Sequence, residues 1–71
     1  MKLMSGVYKK ISLIGTSSES YEQAIKNAID RAKQTLVALQ WFEVEEFRGG
    51  INGNGELEYQ AVIQAAFELK E

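Results

Sequence analysis

The chain has 71 residues, a formal net charge of -2 and no histidine, cysteine or proline. Zinc sites built on Cys or His, thiol nucleophiles, disulfide frameworks and triads with an imidazole base are therefore excluded, and a bound metal would have carboxylates alone to hold it. With 10 acidic residues against 8 basic ones and a pI of about 5.1, nothing offers an electrostatic footprint for nucleic acid or an anionic membrane.

No apolar run approaches the roughly 18 residues of a membrane span. The stretch from Met1 to Lys10 lacks the apolar core and small-residue cleavage site of a signal peptide, so cytoplasmic residence is the default expectation. A domain near this size buries only about 60% of the surface its unfolded chain exposes. With neither a disulfide nor an expected structural metal to staple it, oligomerisation is the expected remedy, and a hydrophobic fraction of 45% can supply the interface.

In chain order, Val7 to Ile14 is rich in β-branched residues and predicts a strand ended by Gly15. The pattern Thr16-x-x-Glu19 predicts a capping box opening a helix. Tyr21, Ala24, Ile25, Ala28, Ile29, Ala32, Leu36 and Leu39 recur at three and four, which extends one long amphipathic helix to about Leu39. Trp41 to Phe47 predicts a second strand, bent or bulged at Arg48-Gly49-Gly50. A turn is expected at Asn52-Gly53-Asn54-Gly55, where Asn and Gly tolerate positive φ. Leu57 to Leu69 predicts a third strand with an apolar row (Leu57, Tyr59, Ala61, Ile63, Ala65, Phe67, Leu69) that should face the helix, and a mostly polar row opposite. No repeat or linker divides residues 1–71, so one domain is expected.

A right-handed crossover through the helix leaves room between the first two strands for the third. The expected fold class is α+β: a β-α-β-β unit whose three-stranded antiparallel sheet, third strand central, packs on one helix. The turn would set Phe47 opposite Gln60 and Glu43 opposite Gln64. Trp41 and Gln60 then share the polar sheet face roughly six residues apart, about 20 Å at 3.3 Å per residue. That is too far for one ligand ring within a chain, so a shared site needs two chains.

An exposed Trp41 fits either a subunit interface or a stacking platform for a flat heteroaromatic ligand, with Gln60 as the amide that reads its edge. Arg48 could clamp a phosphate or pair with Glu46 or Glu56. Glu43, Glu45 and Glu46 fit a solvated, aggregation-resistant edge better than a cation site or an acid–base pair. The Gly49 to Gly55 stretch joins two strands and matches no phosphate loop. Arg31 and Lys33 read as a solvated helix face that could meet an anionic nucleotide at a subunit junction.

Leu13-Ile14-Gly15-Thr16-Ser17, Ala28-Ile29-Asp30-Arg31-Ala32, Trp41-Phe42-Glu43-Val44, Arg48-Gly49, Tyr59-Gln60 and Ala66-Phe67-Glu68-Leu69 together, in this order and spacing, resemble the dodecins, small flavin-binding proteins that assemble as hollow dodecamers. The resemblance implies a homododecamer with flavins (riboflavin, FMN or FAD) stacked in pairs between tryptophans of two chains. Trp41 would stack on the isoalloxazine and Gln60 would hydrogen-bond its polar edge. Arg48 and Gln40 match further ligand-contact positions. It also implies flavin storage and quenching by the indole, without turnover. Glu68 departs from the arginine of many bacterial members and leaves the preferred flavin open. Some members bind coenzyme A, which would give Arg31 and Lys33 a role; an assembly binding coenzyme A or no ligand is the alternative.

Overall fold

The structure, a computed structural model, describes residues 6–35 and 38–69. Four elements follow in order: β1 (Tyr8–Ser17), α1 (Tyr21–Thr35), β2 (Leu39–Ile51) and β3 (Leu57–Glu68). The sheet order is β1-β3-β2 and both pairings are antiparallel. The expected β-α-β-β topology with a central third strand is therefore the one adopted.

The helix begins later than the sequence suggests. β1 continues through Gly15 and Thr16 to Ser17 in register with Ala61, Gln60 and Tyr59, so the Thr16–Glu19 capping box does not form. Ser17 Oγ instead accepts from the backbone N–H groups of Glu19 (2.9 Å) and Ser20 (3.4 Å) and turns the chain. Ser20 is the actual cap, its Oγ accepting the Gln23 N–H at 3.0 Å, the third helical position. Gly15 is what allows the helix to lie close. A Cβ there would sit 2.0 Å from the Ala24 carbonyl oxygen and 2.9 Å from the Ala28 Cβ.

At its other end α1 has no glycine, and Ala38 takes the left-handed conformation (φ 61°) that glycine usually supplies after a helix. Leu39 then opens β2 opposite Phe67 rather than closing the helix. Leu36, expected on the apolar helix face, lies outside the described residues. The irregularities of β2 also fall elsewhere than predicted: register shifts occur between Leu39 and Trp41 and between Val44 and Glu46, while Arg48-Gly49-Gly50 pairs regularly with Gln60-Tyr59-Glu58. The second shift places Phe47 opposite Ala61, one residue from the expected Gln60, whereas Glu43 does pair with Gln64. The turn forms where expected. Gly55 (φ 79°) donates to the Asn52 carbonyl at 2.9 Å, and Asn52 Oδ1 accepts from the N–H groups of Asn54 and Glu56.

The apolar row of β3 faces α1 as predicted, and Ala61, Ile63 and Ala65 have no exposed surface. Their counterparts on the helix are Ala24, Ala28 and Ala32, with Leu13, Ile25 and Ile29 packed around them. Ile63 is the one large side chain fully buried among the described residues. α1 lies over β1 and β3, leaving the helix-side face of β2 largely uncovered: Phe42, Val44, Phe47 and Ile51 are all exposed. Between α1 and β2 runs a groove of about 470 Å³ bordered by Ile25, Ile29, Lys33 and Phe42.

Candidate functional site

Residues paired in register share a sheet face. The face away from α1 therefore carries Tyr8, Lys10 and Thr16 of β1, Trp41, Glu43, Arg48 and Gly50 of β2, and Glu58, Gln60, Gln64, Ala66 and Glu68 of β3. Trp41 pairs with Ala66 and Arg48 with Gln60, so the indole and the amide lie six positions apart along β3, roughly 20 Å. The separation expected from the sequence is present, and two groups of residues result.

The first surrounds Trp41, which is 41% exposed. Its indole N–H donates to Glu43 Oε2 at 3.0 Å. Lys10 Nζ reaches across β3 to the other carboxylate oxygen, Glu43 Oε1, also at 3.0 Å. The Tyr8 ring packs on the indole with centroids 5.0 Å apart and planes tilted by 55°. Tyr8 and Trp41 stand on opposite edge strands, so their contact spans β3, where Ala66 is small enough to pass beneath and is completely buried despite belonging to the polar row. The Trp41 hydrogen bond, followed by the Lys10 ammonium, holds the Glu43 carboxyl below its ordinary pKa. Gln40 sits beside this group at the first register shift of β2, its Nε2 donating to the Ala38 carbonyl at 3.4 Å.

The second group is built on Gln60. Arg48 Nε donates to Gln60 Oε1 at 2.8 Å, and Gln60 Nε2 donates to Glu58 Oε1 at 3.0 Å, so oxygen and nitrogen of the amide are each fixed by a charged neighbour. Gly50 makes room for it: a Cβ there would lie 2.6 Å from Gln60 Nε2. Arg48 thus pairs with neither Glu46 nor Glu56 but orients the amide. Of the three acids on β2, Glu43 serves Trp41 and Glu45 accepts from Gln64 Nε2 at 3.1 Å. Among the described residues no three carboxylates come together as a metal site would require.

Sequence reasoning singled out Trp41, Gln60, Arg48 and Gln40 but not Tyr8, Lys10, Glu58 or Gly50. A signal existed for one relation. Trp41 and Glu43 are two apart in a strand and must share a face. Nothing local marked Tyr8 or Lys10, which reach the site only through the β1–β3 register. Arg31 borders a separate shallow groove of about 290 Å³ between β1 and α1, with Gly15, Thr16 and Asn27, while Lys33 turns to Asp30 at 3.9 Å.

The fold defines a small α+β protein that presents two separated groups of aromatic and polar side chains on one sheet face. The chain belongs to the dodecin family, whose model, Dodecin, matches residues 7–70. It is 52% identical to a dodecin of Thermus thermophilus over 68 residues, covering 96% of this chain and 99% of that protein. It is 31% identical to a calcium dodecin of Mycobacterium tuberculosis over 64 residues, 90% of each chain. The structure of the Streptomyces coelicolor dodecin superposes with a TM-score of 0.85 at 36% identity, covering 97% of this chain and 99% of that one. The solved structures of the Thermus thermophilus dodecin, at a TM-score of 0.84, include variants in which a tryptophan or an arginine is replaced. No helix among the described residues is long and apolar enough to cross a membrane.

Proposed function

We propose that this protein binds and stores flavin, with Trp41 of one copy stacking on the isoalloxazine and Gln60 of a second copy hydrogen-bonding its pyrimidine edge in a homododecamer. The observation that carries the reading is the division of the outer face. An exposed indole and an amide with both its polar atoms already oriented lie roughly 20 Å apart. A single fused ring system does not bridge that separation, so the two groups can act on one ligand only when copies join. The uncovered apolar face of β2, with Phe42, Val44 and Phe47, supplies surface for that joining.

The variants of the Thermus thermophilus protein add support. The tryptophan and the first arginine replaced there are seven positions apart, the interval from Trp41 to Arg48, and the second arginine lies twenty further on, where this chain has Glu68. Gln40, next to Trp41, is assigned a peripheral contact. A bound flavin would supply redox and light-absorbing chemistry. The chain's own residues stack on it, orient it and quench its excited state through the indole, and no group poised for turnover is part of this reading.

The test is a fluorescence titration of riboflavin and of FMN with the purified protein, paired with the mass of the assembly. Stoichiometric quenching by a particle near twelve subunits, abolished by Trp41→Ala, is the expected result. Equal affinity in Trp41→Ala refutes the stacking role. A second reading, coenzyme A as ligand, draws on the groove beside Arg31; an intact dodecamer that leaves flavin emission unchanged would favour it, or an assembly without ligand.

A further inference from the structure

An exposed tryptophan on an edge strand would ordinarily sample several rotamers and lose that freedom on binding a ligand. Trp41 is restrained instead. Its N–H is bonded to Glu43 Oε2, its ring is packed by Tyr8, and the second oxygen of Glu43 is bonded to Lys10 Nζ. Lys10, Glu43 and Trp41 thus form a chain across all three strands over Ala66 and Gln64.

We propose that Glu43, anchored by Lys10, is a positioning residue that fixes the indole plane of Trp41 before the flavin arrives, and so sets the affinity of the stacking site. The inference rests on the flavin reading given above. The charged and titratable groups around Glu43 are Tyr8 and Lys10 from β1 and its own neighbours Glu45 and Glu46; β3 offers it the neutral Gln64 and Ala66, and α1 lies on the other side of the sheet. Lys10 is therefore the cation that anchors it. Since Trp41 and Lys10 both favour the carboxylate, its protonation falls below the usual glutamate range. The hold on Trp41 persists through neutral pH and is lost only as pH drops through that lowered value.

The chain has one tryptophan, so its indole N–H gives one NMR signal, and the hold can be followed without ligand. The experiment compares the wild type, Glu43→Gln, Glu43→Ala and Trp41→Ala as assembled particles, by riboflavin titration and by the indole N–H resonance, from pH 7.5 downward. Glu43→Ala is expected to weaken riboflavin binding about three- to tenfold, the scale of one immobilised side chain, and to shift the indole resonance. Glu43→Gln, whose one amide oxygen can serve Trp41 or Lys10 but not both, is expected to bind riboflavin at neutral pH with an affinity between those of the wild type and Glu43→Ala, and to lose the acid-dependent change in affinity. Wild-type affinity in Glu43→Ala, with binding abolished in Trp41→Ala, overturns the positioning role and leaves the flavin reading intact. Undiminished binding in Trp41→Ala overturns the flavin reading, and the affinity role of Glu43 falls with it.

Discussion

Replacing Gly50 by alanine should separate ligand binding from stability. The new Cβ would lie 2.6 Å from Gln60 Nε2 and 3.2 Å from its Cδ. Non-bonded contacts of this kind settle near 3.5 Å, so the amide must retreat by roughly 0.9 Å. A retreat of that size lengthens the 2.8 Å bond from Arg48 Nε beyond hydrogen-bond range and also misplaces the amide for the isoalloxazine edge. One lost neutral hydrogen bond costs about 0.5–1.5 kcal/mol, or a two- to twelvefold weaker flavin affinity. The backbone does not resist the change, since Gly55 is the glycine with positive φ among those described, and the obstructing atom ends a flexible side chain. Stability should hold or rise slightly, because alanine restricts the unfolded chain. Riboflavin titration and thermal unfolding of Gly50→Ala beside Gly49→Ala provide the assay; the control Cβ meets nothing nearer than the Glu58 carbonyl oxygen at 4.0 Å. Unchanged affinity in Gly50→Ala, or an equal loss in Gly49→Ala, would refute the reasoning.

Gly15→Ala should act on the fold, because its Cβ meets backbone, the Ala24 carbonyl oxygen at 2.0 Å, and α1 must lift from β1. A loss of about 2–3 kcal/mol, read as a fall in Tm of roughly 10–20 °C by calorimetry, is expected. Ala38→Gly should raise stability in chemical denaturation by up to about 1 kcal/mol, as it relieves a left-handed alanine at φ 61°. Glu68 pairs with Tyr8 at the Trp41 end of the outer face, where its charge opposes a flavin phosphate. Glu68→Arg, which replaces an acid by a base there, should raise the affinity for FMN relative to riboflavin in paired titrations of the two proteins.

The sequence disclosed topology better than boundaries. Strand order followed from the length and apolar row of β3, which are properties of a whole element and survive small errors. The helix start did not, because Thr16-x-x-Glu19 and Ser20-x-x-Gln23 are both acceptable caps, and the choice was made by β1, which gains ladder bonds by running on to Ser17. The bulges of β2 were misplaced for a related reason. Gly49-Gly50 has the composition of a bulge, yet regular pairing there brings Gly50 beneath Gln60, while the extra residues fall beside Trp41 and at Glu45. In the site, Trp41, Gln60 and Arg48 stood out by residue type. Their supports did not, because an ordinary lysine or tyrosine becomes relevant only through a register that links residues some fifty positions apart, as Lys10 and Ala66 are.

The central strand is also the last of the described elements to emerge along the chain, with Glu68 pairing back to Tyr8. Until β3 is in place, β1 and β2 have no partner in each other: both run antiparallel to β3, hence parallel to one another, and stand two strand spacings apart, roughly 9.6 Å. Folding must therefore wait for a closure between distant parts of the chain, which slows it. A chain that lacks or releases β3 loses two ladders at once and exposes a slot one strand wide. The strand shaped to fill it is β3 of another copy, so strand exchange is the characteristic misassembly to which this topology is open.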